Sequence, residues 1–118
     1  MVAVGAGSPE SLLAQLRRGT LEYCVLALLR EEELYGFELI RRLELAEGLV
    51  TSEGTIYPLL GRLRRTGWVD TRWQESPTGP PRKYYTLTGA GREALRYFIA
   101  EWQNFSKAVN EILEGRAG

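Results

Sequence analysis

Between Ser11 and Arg30 apolar residues recur at helical spacing in two pieces parted by Gly19. In the second piece Leu21, Val25, Leu28 and Leu29 make one stripe behind Thr20, a residue type that caps helices, so a helix with one face in a core is expected. After the acidic run Glu31, Glu32, Glu33, Tyr35-Gly36 opens a new pattern in which Phe37, Ile40 and Leu43 share a face while Arg41 and Arg42 stay outside; it is expected to end near Gly48. Thr51 and Ser52, both cap-type residues, precede Ile56, Leu59, Leu60 and Leu63 at helical spacing, and Gly67 is placed to stop that helix. Pro58 opposes an unbroken helix, because it lacks a backbone donor and crowds the preceding turn. Two outcomes stay open: the helix begins near Thr55, or it bends at Pro58.

The period then changes. Trp68, Asp70 and Arg72 alternate with Val69, Thr71 and Trp73, and Arg82 to Thr88 is rich in strand-forming residues. The intervening ESPTGPP is a turn longer than two residues, so a projecting hairpin, or wing, is expected. Trp68 and Trp73 are assigned to packing at its base, and Tyr84 to a half-buried position. From Thr88 onward Leu95, Phe98, Trp102, Phe105, Val109 and Ile112 step by alternating threes and fours, with Ile99 and Leu113 widening the stripe. Short helices, a two-stranded wing and a long last helix make a mainly α winged helix-turn-helix with a small β-hairpin. Residues 1–10 read as a flexible leader, 11–88 as the winged domain and 89–118 as a dimerisation helix.

Composition narrows the function. The 118 residues suffice for one core, 44% of them are hydrophobic and 25% charged, and no apolar run approaches a membrane span. The start of the chain resembles neither a secretory signal nor a transit peptide, and the lone Cys24 sits in an apolar run as a buried, inert thiol; a cytoplasmic protein is expected. With no histidine and one cysteine, no usual zinc site and no catalytic constellation can be assembled, so neither an enzyme nor a cofactor is expected. Net charge is zero, but its distribution is uneven: residues 1–51 carry 5 Lys/Arg against 8 Asp/Glu, residues 52–92 carry 7 against 3, and residues 93–118 carry 3 against 4. The basic middle coincides with the third helical pattern and the wing.

That pattern is the candidate recognition helix. Ser52, Thr55 and Tyr57 supply hydroxyl donors for phosphates or base edges, and Gly54 allows close approach. Arg62, Arg64 and Arg65, with Arg82 and Lys83 beside the wing tip, suit phosphate neutralisation. The partner is then double-stranded DNA, read as a palindrome by a homodimer whose interface is Leu95, Phe98, Ile99, Trp102, Phe105, Val109 and Ile112. Trp102 is large for a tight two-helix seam; with Phe98 it is a candidate lining for a cleft taking a small, flat aromatic or apolar effector. The rival to DNA binding is a winged-helix module that binds protein, favoured if Glu31 to Glu33 and Glu53 interrupt the basic face.

The segments RGTLEY, YGFEL, EGTIYPLLGRLRRTGWV and GPPRKYYTLTGAG resemble the PadR-type transcriptional regulators from about Arg18 to Leu95, most specifically through GTIYPLL and RKYYTLT. The resemblance implies a recognition helix carrying Ser52, Thr55 and Tyr57, wing contacts from Arg82 and Lys83, and Tyr35-Gly36 near the DNA backbone. It also implies a repressor that releases DNA when a small aromatic or cationic compound binds, and the short subgroup whose single C-terminal helix supplies most of the dimer interface. The chain departs from the family in its neutral net charge and uncharged wing tip SPTGPP, which implies salt-sensitive affinity.

Overall fold

Leu26, Leu39, Ile56 and Leu60 lose all contact with solvent where three helical stripes meet a small sheet. The computed structural model describes residues 9–46, 49 and 52–116; the expected leader before Pro9, the helix stop at Gly48 and the Thr51 cap lie outside the described residues. The order is α1 (Pro9–Arg17), α2 (Leu21–Leu28), β1 (Leu34–Tyr35), α3 (Gly36–Glu44), α4 (Glu53–Thr66), β2 (Val69–Ser76), β3 (Gly79–Leu87) and α5 (Gly89–Leu113). Around that centre pack Val25, Leu29, Leu34, Leu43, Leu63, Val69, Tyr85 and Leu95. The result is the winged helix of the sequence reading, mainly helical, with a three-stranded antiparallel sheet ordered β1-β3-β2.

The two-residue strand β1 escapes sequence reading because two residues carry no period; it is fixed by pairing, Leu34 with Tyr85 and Tyr35 with Tyr84. The wing is tighter than expected. Strand pairing continues to Ser76 opposite Gly79, leaving only Pro77 and Thr78 as the turn. Between Gln74↔Arg82 and Ser76↔Gly79 the register shifts, where Pro80 and Pro81 have no N–H to offer the ladder, so the strand accommodates them as a bulge.

Several local assignments change for packing reasons. In α3 the inward stripe is Gly36, Leu39, Ile40 and Leu43; Phe37, expected inside, is 48% exposed, with the Arg41 guanidinium 5.9 Å from its ring. Helix α4 starts at Glu53 and runs through Pro58, so the proline does not mark its start; Pro58 and Gly54, whose carbonyl loses its usual i+4 donor, both face solvent. Thr20 precedes α2, but its hydroxyl donates backward to the Leu16 carbonyl at 2.8 Å and so closes α1. Cys24, expected buried, is only half-buried against the core, though that burial still pushes its thiol pKa up. Trp73, expected at the wing base, is 67% exposed, because it lies four rungs beyond the rung of Val69 that is buried in the core.

Helix α4 ends at Gly67, whose φ of +89° closes the last turn while the Trp68 N–H donates to the Leu63 carbonyl at 3.0 Å. There the Thr88 hydroxyl donates to the Gly67 carbonyl at 2.7 Å and accepts from the Gly91 N–H at 3.0 Å, capping α5. Gly91 is buried so tightly that an added Cβ would stand 2.1 Å from the Trp68 carbonyl oxygen. Helix α5 packs on α2 through its first half: Leu95, expected between subunits, is 4% exposed and belongs to the chain's own core, with Ile99 packed against it. Further along, Trp102, Phe105, Val109 and Ile112 remain exposed.

Gly91→Ala is expected to cost about 3 kcal/mol, since backbone rather than a movable side chain blocks the new methyl, and to lower the thermal midpoint by about 10 °C or more. Gly89→Ala, two residues earlier and facing open space, is expected to leave that midpoint unchanged or slightly raised. Thermal unfolding followed by circular dichroism compares the two.

Candidate nucleic-acid interface

With Ile56, Leu59, Leu60 and Leu63 turned inward, a period of about 3.6 residues places Gly54, Pro58, Gly61 and Arg65 on the opposite ridge of α4. The ridge is low for most of its length. Arg65 is its one long side chain, folded back so that a Cβ on Gly61 would stand 3.4 Å from Nη1 of Arg65. One flank carries Glu53, Tyr57 and Arg64, the other Thr55, Arg62 and Thr66. A helix with a low ridge and polar flanks can bring its backbone close to a groove wall while the flanks reach the two strands.

Each flank is braced from behind. Tyr57 covers Gly36 at the start of α3: a Cβ there would lie 2.5 Å from Cε1 and 2.7 Å from the hydroxyl oxygen of Tyr57. Burial, then Glu53 and Tyr35, raise the phenol's pKa, so it remains a donor at neutral pH. The start of α3 is itself held by the Glu38 carboxylate, which accepts the Tyr35 N–H at 3.2 Å. On the other flank Arg62 pairs with Glu22 of α2 at 3.7 Å, which turns it away from Arg64. Thr55, Pro58 and Arg62 then form one wall of a groove whose other wall includes Ala14, Arg17 and Arg18. Ser52 stands at the N-cap position of α4 but its hydroxyl does not cap; it lies 3.4 Å from that of Thr55, leaving both hydroxyls on the exposed first turn.

The wing residues separate, because neighbours on a strand point to opposite faces. Arg82 lies over the Tyr35 ring at 4.6 Å, Tyr35 and Tyr84 are tilted at 5.5 Å, and Arg72 lies 5.3 Å from the Tyr84 ring while bonding the Glu33 carboxylate. Tyr84 is half-buried as expected. Lys83 faces the other way, its Nζ 5.5 Å from the Trp73 ring, on the same side of the hairpin as buried Tyr85. Two of the four glutamates that threatened the basic face are engaged, Glu32 by Arg42 and Glu33 by Arg72; Glu53 occupies the first turn of α4, where the helix dipole favours an acid.

Sequence reasoning missed Arg17, Arg18, Arg41, Arg72 and Trp73 as residues near this surface. The arginines are scattered along the chain, and only the packing of α1 beside α4 and of β1 beside β3 gathers them. In α5, Phe98 stacks on Tyr23 at 4.1 Å and is half-buried within the chain, whereas Trp102, 5.9 Å from Phe98 and 6.3 Å from Phe105, is 43% exposed. Phe98 and Trp102 therefore lie side by side, with only the second well open to solvent. Among the described residues no helix is long and apolar enough to cross a membrane.

Residues 25–97 match the transcriptional regulator PadR-like family. Among solved structures, the chain is similar to a PadR-like transcription factor from Bacteroides fragilis (43% identity, TM-score 0.72, covering 86% of this chain and 98% of that one). A PadR family regulator from Eggerthella lenta is similar too (37% identity, TM-score 0.79, covering 89% and 91%). Among curated proteins it is 30% identical over 93 residues to the negative transcriptional regulator PadR of Bacillus subtilis, covering 77% of this chain and 51% of that protein. These relatives are regulators rather than enzymes, and both the motifs GTIYPLL and RKYYTLT and the winged fold agree with them: the chain belongs to the PadR-like family of transcriptional regulators.

Proposed function

We propose that this protein is a cytoplasmic repressor that binds a palindromic DNA operator as a homodimer, with α4 entering the major groove and the wing beside it. The observation that carries the reading is the form of α4: a low ridge of Gly54, Pro58 and Gly61, flanked by Ser52, Thr55 and Tyr57 near its N-terminus and by Arg62, Arg64 and Arg65 toward its end. The hydroxyls serve base edges and phosphates, and the arginines neutralise phosphates on either side. Tyr35 contributes by holding Arg82 against the hairpin at the start of α3, and Lys83 extends the basic surface onto the opposite wing face. Engagement of Glu32 and Glu33 by arginines favours DNA over an alternative role in binding protein. The sign of regulation follows the Bacillus subtilis relative, a negative regulator.

Dimerisation is supported by the second half of α5, where Trp102, Phe105, Val109 and Ile112 leave a stripe of large apolar side chains uncovered. Ile99 and Phe98 lie at its inner end, and the interface starts there rather than at Leu95. The Trp102 indole on that stripe, backed by Phe98, is the place for a flat aromatic or apolar effector between subunits.

The test is fluorescence anisotropy with labelled duplex DNA covering the gene's own promoter and upstream region, against unrelated DNA. Binding is expected to prefer the cognate duplex, to fall at least about tenfold between low and moderate salt, and to need two chains per site. Arg65→Ala is expected to weaken cognate and unrelated binding alike by roughly fivefold and to flatten the salt dependence, as a phosphate contact should. Absence of cognate binding at low salt would overturn the reading. Phe105→Arg, on the exposed stripe, is expected to shift the protein from dimer to monomer in sedimentation and to abolish operator binding while the helix content is kept. Gly36→Ala, which must push the Tyr57 ring aside, is expected to lower operator affinity about tenfold while costing only about 1 kcal/mol of stability in urea unfolding, because a ring can swing where a backbone cannot.

A further inference from the structure

Where the end of β3 meets the first turns of α5, Arg30, Leu87, Arg92, Leu95, Arg96 and Ile99 enclose an open groove of about 190 Å³. None of its lining residues belongs to α4, to α3 or to the wing beyond Leu87. The floor is aliphatic: Leu95 is buried in the core, and Leu87 and Ile99 pack half-buried against it. The rim is three exposed guanidinium groups, with no carboxylate among the lining residues. The acids close by in sequence do not cancel these charges. Glu32 and Glu33 bond Arg42 and Arg72, Glu31 lines an adjoining groove, and Glu93 pairs with Arg96 alone. Among the described residues neither Arg30 nor Arg92 pairs with a carboxylate. Arg92 instead donates from Nη1 to the Arg30 carbonyl at 3.2 Å, which fixes its head at the groove, leaves further donors of its fork open and does not neutralise it. Two cations brought to one groove without a counter-ion repel each other, and an anion seated between them relieves that repulsion.

We propose that this groove binds a short-chain aliphatic carboxylate, its head held by Arg30 and Arg92 and its tail lying on Leu87, Leu95 and Ile99. Guanidinium forks match the two oxygens of a carboxylate, and the floor offers an apolar chain a place out of water. The tail is aliphatic rather than aromatic, because no aromatic side chain lines the groove to stack on a ring. It is also short: at the ~30 Å³ that a water occupies in the liquid, the groove holds about six heavy atoms, fewer than a drug-sized pocket takes. The site shares no residue with the α4 surface or with the Phe98 and Trp102 pair, and it stands independently of the DNA-binding reading.

The experiment is isothermal titration calorimetry of the full chain with sodium hexanoate at fixed ionic strength, with acetate and hexanol as reference ligands. Wild type is compared with Arg30→Ala, Arg92→Ala and Trp102→Ala. Hexanoate is expected to bind at least about tenfold more tightly than acetate, which lacks the tail, or hexanol, which lacks the charge. Each arginine variant is expected to weaken hexanoate about fivefold, the upper range for an exposed ion pair, and added salt to weaken wild type more than either variant. Trp102→Ala is expected to leave hexanoate affinity unchanged. Arg30→Ala keeps the bond from Arg92 to the backbone carbonyl, so it removes a charge without loosening that brace, and an unchanged thermal midpoint shows that the variant is folded. If Arg30→Ala binds hexanoate like wild type, or acetate or hexanol binds as tightly, the site is overturned. It is overturned also if Trp102→Ala abolishes binding, since the ligand then sits on the exposed stripe of α5. A protein that takes hexanoate but no duplex DNA keeps this site and loses the DNA-binding reading; one that binds its operator but no hexanoate keeps that reading and loses the site.

Discussion

The buried Gly91, with no room for a side chain under the Trp68 carbonyl, joins the end of α4, the start of the wing and the start of α5. At this one place the Thr88 hydroxyl bonds the carbonyl that ends the turn after α4 and the amide that begins α5, and the Thr88 N–H bonds the Trp68 carbonyl at 3.1 Å. The end of α4, the base of the wing and the start of α5 are thereby one unit.

A second junction fixes the other end of α4. Tyr57 can lie close on the start of α3 only because position 36 has no side chain, and just before it β1 pairs with β3 so that Tyr35 meets Tyr84 and Arg82. On the face so formed Arg82 and Arg72 flank the adjacent rings of Tyr35 and Tyr84. The Tyr35 ring holds Arg82 in place without neutralising it, unlike a carboxylate, whereas Arg72 is also paired with Glu33. Arg62 is handled differently, tethered to Glu22, and the charge it offers a phosphate is correspondingly reduced.

Much of this architecture is written in local signals. The helical stripes of α2, α4 and α5, the alternation of the wing, the stop at Gly67 and the motifs GTIYPLL and RKYYTLT each need only near neighbours for their reading. Where reading along the chain failed, a contact between distant segments outweighed the local pattern. Phe37 lost its place inside because Leu39 and Gly36 complete a better stripe with Ile40 and Leu43. Two consecutive prolines, read as an open loop, were absorbed as a bulge once β2 supplied a partner strand. Leu95 sits on the heptad stripe yet is claimed by the core, because the first half of α5 lies on α2.

The sequence by itself determined the order of the helices and the wing, the basic middle and the family, since periodicity, capping residues and motif spacing are properties of contiguous segments. Only the tertiary structure decided which charges stand alone and which are engaged, that Arg82 and Lys83 serve opposite faces of the wing, and that Trp73 is left in solvent while Phe98 is drawn toward Tyr23. The physical reason is range. Hydrogen bonding and side-chain alternation act between residues a few positions apart, whereas burial and ion pairing depend on distances in space that emerge when segments tens of residues apart, such as Glu33 and Arg72, are packed side by side.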